Sequence, residues 1–318
     1  MHIACIGQDM LFLLIKVSPL IFNIQDSKGK TMNRNKTILI ALLVYFSVIK
    51  AASAEHHEMK VGDFTVIAIQ DTTSEMNSGL IVNGKPDIIK KNMPEGKGLS
   101  SNNVFIIRTG KQTVLVDAGV SGKVLEKLKK AGVSPVDVDL ILITHAHFDH
   151  VNGLINKDQA VFPKAKVLFS TEEKAAFEDT VLDKLTPELK APLLKANQIL
   201  KVYGKRAGAF KYGDAIVDGI IAVDISGHTP GHSGFMIESG GQKLLIAGDF
   251  LHIAAIQFAY PEYSLVYDKD PQKAATVRKS TLSKLAKENI PVAGIHIPFP
   301  GIGYVRTGEN GFVFTAIE

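Results

Sequence analysis

The run Thr144-His145-Ala146-His147-Phe148-Asp149-His150 directly follows the apolar stretch Leu140-Ile141-Leu142-Ile143. It sets four metal-capable side chains within six residues. Strand side chains alternate, so His145 and His147 project the same way where the strand ends. Asp149 and His150, on the turn or the first helical residues, then serve a second position close by. Imidazole nitrogen and carboxylate oxygen suit Zn²⁺ and related divalent ions. The ordinary alternative is a set of solvated loop histidines. Four such groups at this spacing behind a buried strand argue against it.

Further candidates stand downstream. Gly227-His228-Thr229-Pro230-Gly231-His232 follows an apolar run ending at Ile225, Gly248-Asp249 follows another at 244–247, and His296 lies in the apolar run 292–297. Taken singly, an Asp after a strand is a turn residue and a His in a strand is a satisfied core residue. Joined to the first run, and counting one His of the Gly-His-Thr-Pro-Gly-His run, they bring the candidate ligands to seven, at strand ends. That number suits three His on one metal, Asp-His-His on a second, and a carboxylate shared between them.

The rest of the chain fits a layered fold. β-rich runs are expected at 64–70, 104–108, 113–116, 140–144, 166–170, 220–225, 235–238, 243–247, 292–297 and 311–317. Several are unbroken Val/Ile/Leu runs, the pattern of strands buried on both faces. Helical patterns cover 121–131, ending at Gly132, and start at Thr171 and at Asp270-Pro271, where Asp is the N-cap and Pro the first helical residue. Two packed sheets with helices outside are predicted. The polar stretch 72–101, which lacks periodicity, reads as a long loop beside the site.

Charge and cysteine exclude some functions. Residues 1–54 hold six basic and two acidic side chains, leaving 30 of each in the other 264. The basic excess is therefore N-terminal, and a nucleic-acid partner is disfavoured. The only cysteine is Cys5, so thiolate ligands and disulfides are excluded downstream. From Met32 the chain reads Met-Asn-Arg-Asn-Lys, thirteen mostly apolar residues, then Ala52-Ser53-Ala54. This is the pattern of a secretory signal over 32–54. The apolar run falls short of the ~20 residues of a membrane span, so no stable membrane insertion is expected after cleavage. Residues 1–31 read as an upstream extension, 55–318 as a single hydrolase domain, and the location as periplasmic or secreted.

Together, His-x-His-x-Asp-His, Gly-His-Thr-x-Gly-His, Gly-Asp and the late His296 resemble the metallo-β-lactamase superfamily over nearly all of 58–318. Leu115-Val116-Asp117-Ala118-Gly119 looks like its early Asp-x-Gly signature, whose Asp is structural. Gly248-Asp249-Phe250-Leu251-His252, Ile256-Gln257-Phe258 and His296-Ile297-Pro298-Phe299-Pro300-Gly301-Ile302-Gly303 look like the branch containing methyl parathion hydrolase and its lactonase or esterase relatives. The resemblance implies an α/β fold, an αββα sandwich of two mixed sheets with helices on the outer faces. It implies one site of His145, His147 and His232, a second of Asp149, His150 and His296, and Asp249 bridging. It also suggests a homodimer.

Two divalent ions are expected as cofactors, Zn first, with Mn, Fe or Co open. A hydroxide bridging them would attack a small ester-like substrate: a lactone, aryl ester or organophosphotriester. Asp149 and Asp249 carry the catalytic assignment, with Tyr260 and Tyr304 as candidate donors to a substrate oxygen. His228 and His252 are read as supporting residues. The alternatives are a β-lactamase and a non-catalytic metal-binding module of the same fold.

Overall fold

Val104-Phe105-Ile106-Ile107 shows why the strands read as unbroken apolar runs. In the computed structural model, which describes residues 56–120 and 122–317, all four are buried on one strand. Val104 and Ile106 join one apolar cluster, Phe105 and Ile107 another. The same alternation separates Leu140 and Leu142 from Ile141 and Ile143, and Leu244 and Ile246 from Leu245. Such strands have apolar neighbours on both faces, which places them inside a four-layer stack.

The strands are β1 (His56–Val61), β2 (Phe64–Asn77), β3 (Lys97–Arg108), β4 (Thr113–Val116), β5 (Leu140–Leu142), β6 (Ile155–Asn156), β7 (Gln159–Ala160) and β8 (Lys166–Ser170), then β9 (Ala207–Phe210), β10 (Ala215–Val217), β11 (Ile220–Asp224), β12 (Ser233–Ser239), β13 (Gln242–Ile246), β14 (Val292–Ala293), β15 (Ile302–Thr307) and β16 (Phe312–Ala316). One seven-stranded sheet runs β1-β2-β3-β4-β5-β8-β9, and a second runs β10-β11-β12-β13-β14-β15-β16. Both are mixed: β4-β5-β8-β9 and β13-β14 are parallel, and the remaining neighbours antiparallel.

The middle cluster joins the two inner faces, Phe105, Val116 and Leu142 with Phe235, Ile237 and Ile246. Leu128, Ala196 and Ile199 bring the helices Val124–Lys130 and Leu194–Tyr203 onto the first sheet. Leu282 and Leu285 bring the helix Pro271–Glu288 onto the second. Its start is as the sequence predicts, with the Asp270 carboxylate accepting from Lys273 N at 2.9 Å. The result is the expected αββα sandwich.

Three expectations are corrected. Residues 72–101 are no structureless loop: β2 and β3 extend through them, pairing as far as Asn77 with Lys97, and the tip carries the helix Pro86–Asn92. Their polar pattern reflects exposed arms: Thr73, Ser74 and Glu75 on β2 are all exposed, and on β3 Lys97 and Leu99 alternate with buried Gly98 and Ser100. The run 292–297 yields only β14, because the chain leaves the sheet after Ala293, so His296 stands on a loop. Strands β1, β6, β7, β9, β10 and β15 were not foreseen, being short or mixed in polarity. The upstream extension, the signal over 32–54 and Cys5 lie outside the described residues. No helix among the described residues is long and apolar enough to cross a membrane.

Candidate metal centre

The chemistry-bearing residues all leave the carboxyl ends of strands. Asp117 follows β4, His145 to His150 follow β5, His228 and His232 follow β11, Asp249 follows β13 and His296 follows β14. Glycines let these loops close. At Gly248 (φ 45°) an added Cβ would sit 2.4 Å from His232 Nε2, and at Gly231 2.3 Å from Glu173 N. Neither position has room for a side chain.

Two donor groups result. His145, His147, His228 and Asp249 form one, and Asp149, His150, Asp249 and His296 the other, with the ligand atoms of each within 4.8 Å of one another. Asp249 belongs to both. Its carboxylate lies 3.5 Å from His145 Nε2, 3.1 Å from His150 Nε2 and 3.2 Å from His296 Nε2. Six of the seven side chains the resemblance implies are therefore in these groups. The seventh, His232, is buried beside them, its ring centroid 5.2 Å from that of His145. Its Nδ1 donates to Ile225 O at 3.0 Å and its Nε2 accepts from Asp249 N at 2.8 Å. His228 takes the place in the first group instead: its Nδ1 donates to Asp268 Oδ1 at 3.0 Å and its Nε2 is 3.0 Å from His147 Nδ1.

The donor set fits cations. His145 Nε2, His150 Nε2 and Asp249 Oδ1 are buried without a hydrogen-bond partner. Buried polar atoms left in this way cost free energy that a coordinated cation removes. Electrostatics agree. Burial, reinforced by the nearby His150, holds the His145 imidazole well below its ordinary range, and burial brings His147 to about 3. Neutral rings offer lone pairs. In the second group burial opposes charge but loses to the carboxylates. Asp249, Asp149 and Asp117 hold His150 well above its usual range, and Asp249 with Asp149 raises His296 to about 10. For Asp249, burial is likewise outweighed, here by His150 and His296, and its carboxyl stays well below the usual range.

The supporting contacts orient the rings. Asp117, in the left-handed region at φ 58°, accepts from His150 Nδ1 at 2.7 Å and from Thr144 N and Oγ1, both at 2.8 Å. His296 Nδ1 donates to Ser101 O at 2.8 Å, and Asn102 Nδ2 donates to Asp149 Oδ2 at 3.2 Å. The foreseen structural Asp117 is in place. Glu173 was missed. Its buried carboxylate ties the two histidine loops, accepting from Ala146 N at 2.8 Å, Thr229 Oγ1 at 2.7 Å and Gly231 N at 3.1 Å. Its local signal was only a helix start, with Ser170 Oγ accepting from Glu173 N.

The groups open into a cleft of about 540 Å³ whose walls include Met76, Phe148, Ala191, Lys195, His252 and Tyr267. The two tyrosines offered as donors do not line it. Tyr304 pairs with Thr315 within the second sheet, because β15 carries the chain away from the site, and Tyr260 stacks on Tyr263 in a separate apolar cluster. Tyr267, which no sequence pattern marked, takes the wall position, its ring 6.1 Å from His252. His252 Nε2 lies 3.1 Å from Asp249 Oδ2, close enough to help hold the shared carboxylate.

Comparison with known proteins agrees with this fold. The hydrolase AbOPH of the beta lactamase superfamily is 31% identical in sequence, with a TM-score of 0.76 over 83% of this chain and 98% of that one. AidC, a dizinc quorum-quenching lactonase solved with its product, shares the fold with a TM-score of 0.74 at 24% identity, over 83% of this chain and 97% of its own. Exodeoxyribonuclease WalJ of Streptococcus pneumoniae is 48% identical over 56 residues, 17% of this chain and 21% of that protein. The chain thus spans about a fifth of that relative's length. The uncharacterized YobT of Bacillus subtilis is 28% identical over 167 residues, covering 50% of this chain and 69% of its own. The family model of the metallo-beta-lactamase superfamily matches residues 98–290, more than half of the chain. The protein belongs to the metallo-β-lactamase superfamily.

Proposed function

We propose that the protein is an exported dinuclear metallohydrolase of small ester-like substrates: lactones, aryl esters or organophosphotriesters. The observation that carries this reading is the shared carboxylate: one buried Asp249 serves two donor groups, and its Oδ1, His145 Nε2 and His150 Nε2 are buried without a hydrogen-bond partner. His145, His147 and Asp249 would hold one cation, with His228 or His232 as the third imidazole. Asp149, His150, His296 and Asp249 would hold the other. Bound divalent cations supply Lewis acidity and a solvent nucleophile ionised near neutral pH. Zn is the first candidate metal.

The chain's own residues supply the rest. Asp149, partly exposed and held by Asn102, would orient the solvent nucleophile by accepting a hydrogen bond from it. Phe148 and Tyr267, 57% and 44% exposed, give the mouth of the cleft apolar surface for an organic substrate. The likeness to AbOPH and to a dizinc lactonase supports the ester-type reading, and the tail motif supports placement in the branch with methyl parathion hydrolase. The balanced charge beyond residue 54 weighs against nucleic acid as substrate. The Met32 to Ala54 pattern supports export, and N-terminal sequencing of the secreted protein should begin at or near Glu55.

Elemental analysis should give about two metal ions per chain after loading, and a panel of lactone, aryl ester, phosphotriester and cephalosporin substrates should show turnover in the first three. Protein that keeps its metals and turns over none of those three refutes the assignment. Turnover of the cephalosporin alone selects the β-lactamase alternative. The variants His228→Ala and His232→Ala identify the third imidazole by which one loses the first cation.

A further inference from the structure

A second cavity, of about 360 Å³, lies behind the cleft wall. Val124, Leu125, Ile155 and Val161 give it an apolar lining, and exposed Lys157 and half-buried Lys195 are its basic residues. No carboxylate lines it among the described residues. Lys195 also lines the metal-bearing cleft, together with Ala191 one helical turn before it, so one half-buried lysine forms part of both walls.

The charges of these lysines are uncompensated. Nearby, Lys190 pairs with Asp183 at 3.5 Å and Lys201 with Asp179 at 3.0 Å. Neither Lys157 nor Lys195 has an ion-pair partner among the described residues. A half-buried lysine without a counter-charge, as Lys195 is, beside a cleft and among apolar side chains, favours an anion more than an exposed lysine does. Lys157 sits at the tip of the β6–β7 hairpin, at φ 44° beside Asp158 at φ 62°, a tight turn that fixes its backbone at the cavity.

We propose that the substrate is an anionic ester: its scissile group lies at the two donor groups, and a carboxylate or phosphate at its far end is read by Lys195, with Lys157 as a second, weaker contact in the rear cavity. This rests on the ester-hydrolase reading and narrows its substrate class. An apolar segment would join the two ends, matching the apolar walls of both spaces. Lys195 is a specificity-determining residue in this assignment; it takes no part in bond breaking.

The test separates binding from turnover. Titration calorimetry of the metal-loaded full chain would use unhydrolysed anilides: the monoanilides of glutaric and suberic acid, a phosphate-ended counterpart, and the neutral anilide of butyric acid. At least one anionic anilide should bind about 10-fold more tightly than the neutral one, the size of one charge-assisted contact. In Lys195→Met the ratio should fall to about 1, in Lys195→Arg it should persist, and in Lys157→Met it should fall by about 2-fold. The phosphate arm tells which anion is preferred. Equal affinities in the wild type, or a ratio untouched by Lys195→Met, overturn the proposal. Turnover of the matching 4-nitrophenyl esters reports separately on the hydrolase reading, so a chain that discriminates anilides but cleaves no ester loses only that reading.

Discussion

The two donor groups share a carboxylate yet solve the problem of burial in opposite ways. The first sets three imidazoles against one carboxylate, and burial keeps His145 and His147 neutral. The second sets two carboxylates against two imidazoles, and the negative charge keeps His150 and His296 protonated. A proton in the second group thus holds the place that a cation would take. The contrast teaches that ligand count alone does not describe a site: the balance of acids and imidazoles decides whether a metal must compete with protons.

The severest challenge to that comparison removes what the groups share. Asp249→Asn should cost both cations together and lower turnover by roughly a thousandfold or more, since bound cations contribute several kcal/mol to the reaction. Elemental analysis beside kinetics checks it, and retention of one full equivalent would show that the groups are independent. Next come single-group variants. His145→Ala and His296→Ala should each bring the metal content from about two to about one, with roughly 100-fold weaker binding in the altered group. Loss of both ions from either variant would mean that one group cannot form without the other.

A smaller effect is expected from Glu173→Gln. The amide keeps one acceptor oxygen but places an NH₂ against donors now served by the carboxylate at Ala146 N, Thr229 Oγ1 and Gly231 N. Its contacts fall at Ala146, between His145 and His147, and at the loop of His228, so metal affinity in the first group should fall by about 10-fold and that of the second by less. Site-resolved titration with Co²⁺, read by its visible absorption, distinguishes this from a uniform loss.

The sequence carried the layers and most of the site because both are written locally. Val104 to Ile107 is apolar on every residue, which fits only a doubly covered strand. His145 to His150 carries its ligands in one run. What was not legible depends on partners distant in the chain. Glu173 is an ordinary helix-start acid until the fold brings Ala146 and Gly231 to it. Arg278 lies on a helix among polar neighbours, yet it is 1% exposed, donating to Pro261 O and Tyr263 O and pairing with Asp268, which in turn holds His228. Tyr304 failed for the converse reason: proximity to His296 along the chain says nothing of direction once Gly301 turns β15 back into the sheet.

The finest test of the contrast is protonic. With His145 held well below its ordinary range and His147 brought to about 3, both rings are neutral at pH 7, so the cation they hold should bind with little proton release from them. With His296 raised to about 10, the second group must shed its proton, so the second equivalent should release about one to two protons as His150 and His296 give theirs up. Calorimetry in buffers of different ionisation enthalpy counts them. The same shifts set the two flanks of metal-free stability. For His296 the folded value lies above the ordinary ~6.5, so its contribution is complete below that value and fades as pH rises toward 10. For His147 the folded value lies below it, so the unfolded chain binds more protons and stability falls as pH drops from about 6.5 toward 3. Melting temperatures of the metal-free chain should therefore decline on both sides of neutrality, and bound metal should flatten the alkaline decline, because a cation in the second group leaves His296 no proton to lose. An alkaline decline of the same size with metal bound would show that the proton and the cation do not compete for that position.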